Sequence, residues 1–62
     1  MRIKEIRKKK GMTAAELARL VNTTPVSISR YETGKRTPTI NKAAEIAAAL
    51  GVTVDELIGK AG

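Results

Sequence analysis

The side chains with chemistry to offer in this 62-residue chain are mostly cations: Lys and Arg number 12 against 6 Asp and Glu, a formal net charge of +6. The excess is uneven. Residues 1–36 hold ten basic and three acidic groups, residues 37–62 two and three. That asymmetry points to a polyanion-binding face, with nucleic acid or anionic membrane as the candidates. A basic surface kept for solubility is the plainer alternative. Other chemistry is largely missing. Without His, the commonest general base and metal ligand are absent. Without Cys there is no thiolate, disulfide framework or Cys-type zinc site. A chain this short buries only about 60% of its unfolded surface, which leaves no room for a large active-site cavity beside a core. The composition therefore argues against an enzyme, and against a metal, cofactor or small-molecule ligand.

The elements that must position these groups are well punctuated. Thr13-Ala14-Ala15-Glu16 and Thr53-Val54-Asp55-Glu56 are capping boxes, the first followed by an apolar stripe of Leu17, Ala18, Leu20 and Val21. Thr24-Pro25 reads as an N-cap with proline at the first helical position. Thr39 caps an Ala-rich run that ends at Leu50, and Gly11, Gly34 and Gly51 supply helix stops. Five helices are predicted, near 2–10, 14–21, 25–32, 40–50 and 54–58, with no strand pattern. The expectation is one all-α domain over residues 1–62, with 59–62 a frayed tail or the start of a linker. No stretch resembles a signal peptide or a membrane span, so a soluble, cytoplasmic protein is expected.

Two charges fall on inward faces. Arg7 shares a stripe with Ile3 and Ile6, and Glu32 shares one with Ile28 and Tyr31. A lone buried charge is costly, so the two are expected to pair; the alternative is that both reach solvent at the stripe edges. Tyr31 is placed in the core by the same stripe, rather than offered for base stacking.

Only Asn22, Thr23 and Thr24 separate the second and third helices, the pattern of a helix-turn-helix. In such a unit the second helix enters the major groove by its N-terminal end. Here the sequence resembles the lambda-repressor-like, Cro/repressor-type (XRE) helix-turn-helix family. The resemblance rests on three runs: Met12 to Ala18, Ser27 to Lys35 followed by Pro38, and Ile46 to Leu57. It implies a five-helix lambda-repressor-like domain that binds double-stranded operator DNA and regulates transcription, very often as a homodimer on a palindromic site. The same family pairs an arginine of helix one with the glutamate ending helix three, matching Arg7 and Glu32.

Carried over residue by residue, the resemblance makes Pro25, Val26, Ser29 and Arg30 the base-reading positions. Arginine bonds guanine O6 and N7 in a bidentate pair, and an apolar Val26 suits a thymine methyl. Phosphate contacts are expected from Thr13, Thr24, Ser27, Thr33, Lys35 and Arg36. Thr13 and Thr24 stand at helix N-termini, where free N–H groups favour anions. Lys8, Lys9 and Lys10 either join them or simply complement the dipole at the end of the first helix. Two positions depart from the family. Ala14 stands where relatives commonly carry a glutamine on the DNA backbone, and Pro25 replaces a frequently polar reading position and removes a donor. The reading surface is accordingly apolar and sparse.

Three rival readings remain at this level. One is a membrane-surface peptide built on Met1, Ile3 and Ile6 of the first helix. The others are a protein-interaction module on the same fold, and an antitoxin that binds a protein partner. For a homodimer, Val52, Val54, Leu57 and Ile58 are the nearest apolar material, unless all four are core.

Overall fold

The computed structural model describes residues 1–59. Among these, the chain forms five helices and no strand: α1 Ile3–Lys9, α2 Ala14–Leu20, α3 Pro25–Thr33, α4 Ile40–Leu50 and α5 Val54–Ile58. The predicted order and number hold, with ends shifted by a residue at α1, α2 and α3. Residues 60–62, most of the expected tail, lie outside the described residues.

Threonine opens four of the five helices for one physical reason. Its hydroxyl accepts a hydrogen bond from a backbone N–H three residues on, one of the donors a helix start leaves orphaned. Thr13, Thr24, Thr39 and Thr53 do this for Glu16, Ser27, Lys42 and Glu56. At α2 and α5 the glutamate carboxylate returns a bond to the threonine N–H at 3.0 Å, completing both expected boxes. Gly34 closes α3 at φ +78°, a conformation that costs a residue with a Cβ.

The core is built from one stripe of each helix. Ile3, Leu17, Val21, Ile28, Ile46, Leu50 and Leu57 are essentially fully buried, with Ile6, Ala18, Tyr31 and Ala47 completing the cluster. α2 packs on both α3 and α4, α1 on α3, and α4 on α5. Burying each large aliphatic side chain contributes about 1.5–3 kcal/mol, so α3 is held by both of its neighbours. The Arg2 N–H donates to Leu57 O at 2.8 Å and ties the start of the chain to α5.

Two sequence expectations need correction, and one left open is resolved. Leu20 does not belong to the core stripe of α2; it is 60% exposed. Val21 is not helical but caps α2 at φ −107° with its side chain buried, so the connection to α3 runs Val21–Thr24. Of the apolar residues near α5, Leu57 is core and Val52 and Val54 pack against it, leaving Ile58 half exposed. The face a membrane-surface α1 would need is also consumed, since Ile3 and Ile6 are buried. Among the described residues no helix is long and apolar enough to cross a membrane.

Candidate nucleic-acid interface

The turn between α2 and α3 is set by Asn22. It adopts φ +56°, the left-handed region that asparagine tolerates better than most residues. The Asn22 N–H then donates to Arg19 O at 3.3 Å and the Thr23 N–H to Ala18 O at 2.8 Å, which closes α2 as a Schellman motif. From there Thr24 starts α3, and Pro25 fills the first helical position, where a missing N–H costs nothing.

Helical periodicity divides α3 into two faces. Ile28, Tyr31 and the largely buried Glu32 point inward, and Pro25, Val26, Ser29 and Arg30 lie exposed. Glu32 meets Arg7 there: Arg7 Nε donates to Glu32 Oε2 at 2.9 Å and Arg7 Nη1 to Met12 O at 2.9 Å. The two side chains are only 11% and 8% exposed. This pair fastens α1 and the α1–α2 connection to the carboxyl end of α3.

The outward face is uncommitted. Neither the Arg30 guanidinium nor the Ser29 hydroxyl has a hydrogen-bond or ion-pair partner among the described residues. Val26 is 59% exposed. No acidic side chain occupies the first turn of α3, so the positive end of its dipole stays unneutralised from within. α2 differs. Its first turn holds Glu16, whose carboxyl is kept below the usual range by the bonds it receives from the backbone and hydroxyl of Thr13.

The residues expected to contact phosphate differ in what they have free. Lys35 and Arg36 are exposed just beyond α3. The Arg36 guanidinium lies 5.7 Å from the centre of the Tyr31 ring, and its backbone N–H donates to Arg30 O. Thr24 Oγ1 donates to Ser27 Oγ at 3.1 Å, which commits the Thr24 proton within the helix start and leaves the proton of half-buried Ser27 available. The Thr33 hydroxyl donates back to Ser29 O at 3.1 Å, so it can only accept while that bond lasts. The Thr13 N–H and hydroxyl are both engaged by Glu16, leaving the Ala14 and Ala15 N–H groups. Lys9 and Lys10 line a hollow of about 310 Å³ with Arg2, Ile6, Val52 and Glu56, bordering α5 rather than α3. Tyr31 is 5% exposed, which removes it from base stacking.

Sequence reasoning missed two residues of this unit. Asn22 had a signal, asparagine being the second choice after glycine for a left-handed helix stop. Lys42 had none: from α4 its Nζ donates to Val21 O at 2.7 Å, a contact 21 residues away in sequence.

Among the described residues no cluster of His, Cys, Asp or Glu could hold a metal ion. None of the curated proteins matches the chain. A family model described as helix-turn-helix matches residues 3–57, nearly the whole chain and every helix up to Leu57 of α5. The chain therefore belongs to the Cro/repressor-type (XRE) helix-turn-helix family, whose members are DNA-binding regulators and not enzymes.

Proposed function

We propose that this protein is a transcriptional repressor that binds operator DNA by laying the N-terminal half of α3 in the major groove. The observation that carries the reading is the outward face of α3, where exposed Arg30 and Ser29 have no partner among the described residues. Arg30 reads guanine through a bidentate pair, worth about 1–3 kcal/mol of discrimination. Val26 contacts a thymine methyl, Pro25 packs beside it, and Ser29 bonds a base edge. Lys35, Arg36, Ser27 and the α2 start at Thr13 hold the flanking phosphates. Thr24 serves chiefly by capping α3, and Thr33 only as an acceptor from an ordered water.

The protein acts as a homodimer on a two-fold-symmetric site, its two recognition helices about 34 Å apart. Half-exposed Ile58 of α5 supports an apolar contact between copies. The test is selection from a random pool of duplexes across a salt titration. The expected result is a two-fold-symmetric motif whose affinity falls steeply as salt rises. Weak binding with no motif would overturn the operator reading and favour a fold reused for protein contacts.

A further inference from the structure

We propose that Lys42 is a positioning residue for DNA recognition, setting the aim of α3 from α4 by holding the carbonyl end of α2; the proposal rests on the DNA-binding reading above. The carbonyl it holds is a leftover one. At the end of α2 the Ala18, Arg19 and Leu17 carbonyls receive backbone N–H groups, while Val21 O receives none. Lys42 Nζ supplies the missing donor at 2.7 Å, in a side chain only 23% exposed. A cation there also complements the negative end of the α2 dipole.

The lysine is itself held at both ends. Its backbone N–H donates to the Thr39 hydroxyl at 3.1 Å, which fixes the origin of the side chain at the first turn of α4. Its ammonium lies 3.3 Å from Glu45 Oε2, which steers the far end. The bond lands on the Val21–Asn22 peptide, directly before the one non-glycine residue with positive φ among those described. That peptide is where the chain swings from α2 into α3. A base-reading side chain must be held within about 0.5 Å and 10–20° to make bidentate contacts. Packing fixes the inward face of α3, and the Lys42 bond fixes the plane from which the helix departs.

Lys42→Met keeps the apolar stem and removes the donor, Lys42→Arg keeps a donor, and Glu45→Gln breaks the ion pair alone. Each is compared with the parent protein well below its melting midpoint, where all are folded by circular dichroism. Three quantities are read: affinity for the selected duplex, affinity for a random duplex, and its salt slope. A fourth, exchange of the Thr23 amide, is read without DNA. The Met variant is expected to bind the selected duplex about tenfold more weakly, with random-duplex affinity and salt slope unchanged, and to exchange Thr23 faster. Arg should recover most of both losses, and Glu45→Gln should resemble the parent. Should the Met variant lose its helical signal, Lys42→Ala, which also lacks a donor, carries the same comparison. Equal losses on both duplexes with a salt slope smaller by about one would make Lys42 a phosphate contact and overturn the proposal. So would unchanged affinity and exchange. If the parent binds no duplex, the DNA-binding reading fails and the recognition role falls with it, while Thr23 exchange still reports whether the bond holds the turn.

Discussion

The two faces of α3 are built on opposite rules, nine residues of one helix serving both. Inward, Ile28 and Tyr31 are buried and Glu32 is paired with Arg7, so each group has its partner. Outward, Val26, Ser29 and Arg30 are exposed and unpaired among the described residues. The difference teaches that stability and recognition can be carried by separate side chains of a single helix, so the outer set can change without disturbing the inner one. The largest test breaks the inner face. Glu32→Ala leaves the Arg7 guanidinium, 11% exposed, without its carboxylate. Removing one partner of a buried pair costs about 3–5 kcal/mol, a large share of the stability of any small domain. Urea denaturation should show that loss. Replacing both, Arg7→Met with Glu32→Leu, should recover most of it, because no uncompensated charge remains.

The outer face predicts the reverse pattern. Arg30→Ala should weaken binding to the selected duplex by about 1–3 kcal/mol and relax preference at one base pair. Its melting midpoint should stay put, because Arg30 supports nothing inside. A fall in stability comparable to that of Glu32→Ala would erase the distinction between the faces. Lys35→Ala should act more weakly and more evenly. Selected and random duplexes should lose similar affinity, with the salt slope smaller by about one. A base-specific loss at Lys35 would move the edge of the reading surface beyond α3.

The inner face was the more legible in the sequence, for a physical reason. Burial imposes a period, so Ile28, Tyr31 and Glu32 can be placed together by spacing, and a buried Glu32 demands a cation such as Arg7. Caps were legible because threonine and glutamate three residues apart satisfy each other locally. Leu20 misled because it was grouped by apolarity and not by angle. At about 100° per residue it sits roughly 110° from the centre of the stripe formed by Leu17, Ala18 and Val21. The end of α2 was misplaced by one residue because Asn22, not a glycine, takes the left-handed turn. Lys42 and the locally bonded hydroxyls of Thr24 and Thr33 were invisible, since nothing in residue type says which partner a flexible or rotatable donor will find.

The smallest expected effect separates α3 from the helices beside it by pH. Glu16 and Glu56 both sit in capping boxes, and each carboxyl is held below its ordinary value by bonds from the backbone and hydroxyl of its threonine. Glu5, bonded to the Arg2 guanidinium, is lowered as well. A carboxyl whose folded value is depressed contributes stability that is fully present above its unfolded value and lost as the pH falls through the folded one. The melting midpoint should therefore be level down to about pH 5 and decline below about 4.5, the ordinary value for these groups. Glu16→Gln should flatten part of that decline. α3 is capped by the Thr24 hydroxyl with no acid in its first turn, so nothing at its start titrates. Amide exchange, corrected for its intrinsic pH dependence, should show the Glu16 N–H losing protection in acid while the Ser27 N–H keeps its own until the whole fold opens. Equal loss at both would mean the two helix starts are coupled through the turn at Asn22, and that the recognition helix is not insulated from the helix that precedes it.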